Sequence, residues 1–353
     1  MSHLRNFGAL RPRPPRKRGT VVSFAFESPL LAEINPLSDP VLRSVLVYLP
    51  SGYDTETQRY FPVLWSLAAY TSSGPAQVAW RNHGENLPRR LDRLIDSETM
   101  PPAIVVMPDS FTSLGGNQFV DSSALGHYAR HIVEELVPEI DRRFRTIARP
   151  EARGVFGKSS GGFGGLHLAA RYPGVFGGVA SHAGDCGFDR VYQRDFVVCC
   201  DELATWDGDC EAFVSAFWHA RKPSRRSFHA LMVLCLAASY SPIPGKPLNL
   251  ELPFDPVTAR LDEAVWQRWL AFDPVRFGSE ALDALGQLRG LWLDAGKRDQ
   301  YFIHYGTREL ASRLDSAGIG HHHVEFDGNH SGMDWRLDHS LPWLLKRLEA
   351  ADG

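Results

Sequence analysis

The segment Gly154-Val155-Phe156-Gly157-Lys158-Ser159-Ser160-Gly161-Gly162 contains Gly157-x-Ser159-x-Gly161. It lies between a run that reads as a strand and a run that reads as a helix. A serine nucleophile is presented in this context. The chain must turn so tightly that side chains two residues on either side of the serine would collide, and glycines remove the conflict. The next backbone N–H, that of Ser160, then points from the helix start toward the oxyanion that forms when a carbonyl is attacked. A hydroxyl is a poor nucleophile at neutral pH, so it needs a base and an acid that orients the base. Downstream, one strand-like run leads into Gly296-Lys297-Arg298-Asp299 and a later one into Asp327-Gly328-Asn329-His330. Both Asp299 and His330 therefore fall on strand-end loops, on the side where Ser159 must stand. The order predicts Ser159 as nucleophile, His330 as base and Asp299 as orienting acid. Asp294 competes for the last role, but it sits inside the apolar run Leu291-Trp292-Leu293-Asp294-Ala295. Asp299 lies past Gly296, on a turn free to reach the histidine.

A second oxyanion donor is expected from the loop Ala68-Ala69-Tyr70-Thr71-Ser72-Ser73-Gly74, with the Tyr70 backbone N–H as the best choice. Asn117 and Gln118, after the fourth strand, are substrate-contact candidates. So are His182 and Asp185, after the strand that follows the elbow helix. A hydrogen-bonded loop framework explains these four residues equally well. Gly157-Lys158-Ser159 also matches the end of a phosphate-binding loop, but that loop needs glycine at 152 and the residue is Ala152. His321, His322 and His323 alternate across a strand and cannot all face one metal. The five cysteines, Cys186, Cys199, Cys200, Cys210 and Cys235, include no Cys-x-x-Cys pair. Neither a metal nor a cofactor is expected.

The elements that must position these residues alternate in type. Val21–Glu27 and Leu42–Leu49 read as an antiparallel pair, and Phe61–Ala68 and Ala103–Met107 as central strands apolar on both faces. Ile132, Val133, Leu136, Val137, Ile140 and Phe144 share one helical face, which Pro138 should kink or break. Then follow strand 153–158, helix 160–172, strand 175–181, strand 288–295, helix 308–317 with Gly318 at its C-cap, strand 322–326 and helix 341–350. This rhythm predicts an α/β fold, with a mostly parallel central sheet and helices on both faces. Residues 190–284 break the rhythm with Trp206, Trp218, Trp266, Trp269 and a proline-rich stretch, and are read as an inserted, mainly helical cap. The expected organisation is a flexible basic tail at 1–20, core at 21–189, cap at 190–284 and core again at 285–353.

At 353 residues, with 44% hydrophobic and 22% charged, the chain has ample material for a core. A net charge of −3 gives no global attraction to nucleic acid or anionic membrane. The most apolar run, 228–240, is shorter than the ~20 residues that span a bilayer. The basic start lacks the apolar stretch of a secretory signal. A cytoplasmic protein with reduced thiols is the expectation, with no nucleic-acid or membrane partner.

Several segments together resemble the esterase D-like group of the α/β-hydrolase superfamily, which includes S-formylglutathione hydrolases, feruloyl esterases, enterochelin-type esterases and mycolyltransferases. They are Tyr48-Leu49-Pro50-Ser51-Gly52-Tyr53-Asp54, Phe61-Pro62-Val63-Leu64-Trp65, Glu135-Leu136-Val137-Pro138-Glu139-Ile140-Asp141, and the elbow followed by Arg171-Tyr172-Pro173-Gly174-Val175-Phe176. The resemblance implies an α/β-hydrolase fold and a catalytic acid in a Gly-x-x-Asp pattern, matched by Gly296-Lys297-Arg298-Asp299. It also implies a catalytic histidine near the C-terminus, matched by His330 with Asn329 replacing the usual glycine. Departures are Ala68-Ala69 in place of a histidine–glycine pair, and Lys158 and Ser160 around the serine. The implied activity is cleavage of a small-molecule carboxylic ester through an acyl-enzyme. An acyltransferase using the same intermediate and a non-catalytic binding module are the alternatives.

Overall fold

A computed structural model describes residues 17–349, so most of the basic tail lies outside the described residues. The main sheet uses β1 (Thr20–Glu27), β2 (Leu42–Leu49), β3 (Val63–Leu67) and β4 (Ile104–Pro108). A small hairpin, β5 (Asp121–Ser122) and β6 (Gly126–His127), stands apart from it. The sheet continues with β7 (Arg153–Lys158), β8 (Gly178–His182), β9 (Gly290–Gly296) and β10 (His322–Phe326). Its order is β1-β2-β4-β3-β7-β8-β9-β10. β2 runs antiparallel to both its neighbours, and every pair from β4 to β10 is parallel. This is the mostly parallel sheet that the alternation of strands and helices predicts.

The side-chain period of two divides each strand between two helical layers. In β3, Val63, Trp65 and Leu67 join one core with Ile132, Ile140, Leu166 and Leu310. Leu64 faces the other way, toward Leu91, Leu94, Leu341 and Leu344. The helix 132–144 is interrupted as its proline requires. A wide π-type stretch, His131–Leu136, passes into the α-helix Val137–Arg143, which carries Pro138 in its first turn. Proline has no N–H to continue the ladder, and the wider turn accommodates it.

Between β8 and β9 the chain forms the helices Gln193–Ala204, Cys210–His219, Arg225–Tyr240 and Glu263–Leu270. Asp209, Ser224 and Asp262 cap the last three by accepting from backbone N–H groups. Phe196, Tyr240, Phe254, Trp266 and Trp269 build their shared core. The helix Arg225–Tyr240 is apolar nearly all round because neighbours cover most of its surface. The helix Ser279–Gly286, by contrast, packs on the elbow helix Ser160–Arg171. Among the described residues no helix is long and apolar enough to cross a membrane.

Candidate active site

β7 ends at Lys158, and the helix Ser160–Arg171 begins two residues later. The whole turn rests on Ser159, whose backbone is held at φ 54°, ψ −125°. A side chain rarely adopts this conformation, and such strain is maintained only where surrounding structure enforces it. The flanking glycines show why it can form. A Cβ on Gly157 would lie 2.5 Å from the Gly161 carbonyl carbon, and one on Gly161 would run into the Leu67 carbonyl oxygen. The Ser159 N–H donates to the His182 carbonyl at 3.0 Å, tying the turn to the end of β8.

Asp299 and His330 come together from the loops after β9 and β10. His330 Nδ1 lies 2.8 Å from Asp299 Oδ2, and both residues are buried. The pair is held on each side. Asp299 Oδ1 accepts from the Tyr301 N–H at 2.8 Å, and Gln300 Oε1 accepts from the His330 N–H at 3.1 Å. The Tyr301 ring meets the imidazole edge-on at 4.8 Å. His330 and Ser159 line one cavity of about 130 Å³ together with Tyr70, Ser160, Asp185, Tyr192, Phe228, Met232 and Tyr301. The Tyr70 and Ser160 backbone N–H groups have no acceptor among the described residues. Tyr70 itself is fixed by its hydroxyl, which donates to the Leu114 carbonyl at 2.9 Å.

The four substrate-contact candidates separate. Asp185 reaches the cavity, where Ser159 Oγ donates to its Oδ1 at 3.4 Å and Tyr192 donates to its Oδ2 at 2.8 Å. Gln118 donates to Ser160 Oγ at 3.0 Å, beneath the helix start. Asn117 is loop framework, donating to the Ser110 carbonyl at 2.7 Å and accepting from the Phe119 N–H at 2.6 Å. His182 is held in a separate buried network, and it also borders a cavity next to that of Ser159. Its Nδ1 meets Asp294 Oδ1 at 2.8 Å and its Nε2 meets Ser340 Oγ at 2.9 Å. Asp294 Oδ2 accepts from Trp292 Nε1 at 2.8 Å and Arg336 Nε at 2.9 Å. Burial pushes the Asp294 carboxyl up, but His182, Trp292 and Arg336 together hold it below the ordinary carboxylate range.

Asp185 has the opposite balance. Burial dominates and pushes it up to about 6, against the hydrogen bonds from Tyr192 and Ser159. An acid raised on folding destabilises the native state once it must ionise. The contribution of Asp185 to stability therefore falls as pH rises from the unfolded value near 4 to the folded value, by roughly 3 kcal/mol in total. Asp185→Asn has no such proton to lose. Its melting temperature is expected to gain on wild type progressively between pH 4 and pH 7, as measured by thermal unfolding across that range. A difference that stays flat with pH would show that Asp185 does not ionise there.

The residues that the sequence did not single out are the apolar walls, Tyr192, Phe228, Met232 and Tyr301. Lys158, an unusual residue for an elbow, has no role in the sequence reading of the triad. It borders the cavity of Ser159 and also a second one of about 330 Å³. Among the described residues no group of three or more His, Cys, Asp or Glu is placed to hold a metal.

A mostly parallel eight-stranded sheet with a strained, glycine-flanked serine after a central strand defines the α/β-hydrolase fold. Solved structures agree. A ferulic acid esterase superposes with a TM-score of 0.60 at 18% identity, covering 94% of this chain and 99% of that one. An S-formylglutathione hydrolase from Agrobacterium tumefaciens gives 0.54 at 18% identity, over 94% and 96%. The chain belongs to the esterase family described as "Putative esterase", whose model matches residues 42–341. Esterase MT1326 of Mycobacterium tuberculosis (strain CDC 1551 / Oshkosh) is 38% identical over 97 residues, 27% of this chain. The match spans only 20% of that relative's length.

Proposed function

We propose that this protein hydrolyses a carboxylic ester through Ser159, His330 and Asp299. The observation that carries the reading is the buried His330–Asp299 pair, 2.8 Å apart, facing the same cavity as the glycine-flanked Ser159. The substrate carbonyl oxygen lies between the Tyr70 and Ser160 N–H groups. Ser159 Oγ turns from Asp185 toward His330 Nε2, which takes its proton as Oγ bonds to the carbonyl carbon. Asp299 holds the proton on Nδ1 and stabilises the imidazolium. The two N–H groups stabilise the tetrahedral oxyanion. The intermediate collapses to an acyl-enzyme as His330 delivers its proton to the leaving alcohol. Water, activated by the same histidine, then releases the acid and restores the serine.

Membership of the esterase family and the likeness to the ferulic acid esterase and S-formylglutathione hydrolase folds support this reading. A fluorophosphonate probe should label wild type and not Ser159→Ala; absence of labelling would favour a binding module. Product analysis with added alcohols separates hydrolysis from acyl transfer. The five cysteines are unpaired and buried, which supports a reducing compartment such as the cytoplasm.

Residues 190–284 act in this reading as a cap that shapes the substrate site, through Val191, Tyr192, Phe228 and Met232. Phe228 packs edge-on against Tyr70 at 5.3 Å and narrows the cavity. Phe228→Ala should therefore raise kcat/KM for bulky aromatic acyl esters relative to acetyl esters by roughly tenfold. A panel of 4-nitrophenyl esters measures this, and an unchanged ratio would remove Phe228 from selectivity.

A further inference from the structure

The mechanism above leaves one charged residue at the elbow without a task. Lys158 ends β7 immediately before Ser159 and is largely buried. Among the described residues its ammonium forms no ion pair within 4.0 Å and no hydrogen bond. The carboxylates it senses are committed elsewhere: Asp334 pairs with Arg81 at 2.6 Å, and Asp299 with His330 at 2.8 Å. A half-buried cation without a partner is costly to keep, and burial indeed pulls its pKa down.

The second cavity supplies the context. Its volume is about 330 Å³, against about 130 Å³ for the cavity of Ser159, and the two share Ala69, Tyr70 and Lys158. Its walls carry the cations of Lys158 and Arg81 against the single carboxylate of Asp334, with Ser66, Thr71 and Gln77 as polar lining. A carbonyl held at the Tyr70 N–H therefore has a continuation, past Lys158, into a roomy cleft with one uncompensated positive charge. We infer that this cleft is a subsite for a carboxylate on the ester substrate, held by the Lys158 ammonium. A monoanion fits better than a phosphate dianion, because Asp334 already occupies the cleft wall and would repel the second charge. The inference rests on the proposed roles of Ser159 and the Tyr70 and Ser160 N–H groups.

The test compares isosteric ester pairs. 4-Nitrophenyl hemisuccinate against 4-nitrophenyl levulinate places the carboxylate on the acyl side. 4-Acetoxybenzoate against 4-acetoxyacetophenone places it on the alcohol side. In wild type, one pair should show kcat/KM favouring the anionic ester by roughly tenfold, the value of one charge-assisted contact. The ratio should fall to about one in Lys158→Met and in Lys158→Gln, and be largely kept in Lys158→Arg. A wild-type ratio near one for both pairs, or a ratio that survives in Lys158→Met, overturns the subsite and leaves ester hydrolysis standing. If no ester is turned over and fluorophosphonate does not label Ser159, the hydrolase reading fails instead. Calorimetric titration of wild type and Lys158→Met with succinamate and with butyramide then reads the cleft directly. Lys158-dependent binding of succinamate alone upholds the subsite, and its absence overturns it.

Discussion

Ser159→Ala is expected to give a folded protein whose ester turnover falls by roughly 10⁴-fold or more, as removal of a nucleophile does in a serine triad. The expectation of intact folding comes from the contacts of the hydroxyl. Among the described residues its one hydrogen bond is the long 3.4 Å contact to Asp185. The strain at φ 54° is backbone strain, and alanine bears it as serine does. The oxyanion donors are backbone groups and remain in place, so some acceleration over water persists without covalent attack. Stopped-flow release of 4-nitrophenol together with thermal unfolding makes the measurement. Turnover within tenfold of wild type, in a protein with an unchanged melting temperature, would exclude Ser159 as nucleophile.

Much of this arrangement could be read before any coordinates because it depends on local chemistry. β7 and β10 coincide with the segments 153–158 and 322–326 chosen from pattern, since both are short runs bounded by turn-formers. Ser159 was legible because the collision of Gly157 with Gly161 lies within five residues of chain. The partnership of Asp299 with His330 was legible from order alone, because a parallel sheet puts successive strand-end loops on one side. What stayed hidden depends on register and on packing across long separations. His182 and Asp294 stand directly opposite each other in the β8–β9 pairing, and a one-residue slip would part them. Nothing in the segment Ser181-His182-Ala183 announces that neighbour, although His182 also lines the larger cavity beside Lys158. Phe228 is hidden for a different reason. Its helix is apolar nearly all round, so periodicity does not say which residue faces the cavity.

The two aspartates of β9 and its loop should separate cleanly on substitution, because their surroundings ask different things of a carboxylate. Asp299→Asn keeps the size of the side chain but loses the charge that stabilises the imidazolium, and lets the amide favour the wrong tautomer of His330. Turnover is expected to fall by about 10⁴. Asp294 faces no reacting group. It neutralises Arg336 and accepts from His182 and Trp292 in a site with 0% exposure. Asp294→Asn leaves the buried guanidinium without its counter-charge, a loss of roughly 3–5 kcal/mol. The main effect should be a large drop in melting temperature. Turnover per folded molecule should remain within about tenfold of wild type, the residual loss arising because the His182 carbonyl, on the same network, holds the Ser159 N–H. The comparison needs turnover at matched folded fraction, with thermal unfolding of each variant alongside. A fully active Asp299→Asn beside a folded but inactive Asp294→Asn would transfer the orienting role to Asp294. That transfer would demand a histidine bonded to Asp294 and facing Ser159, and the one that Asp294 bonds, His182, has its Nε2 occupied by Ser340 at 2.9 Å and is not in the lining of Ser159's cavity.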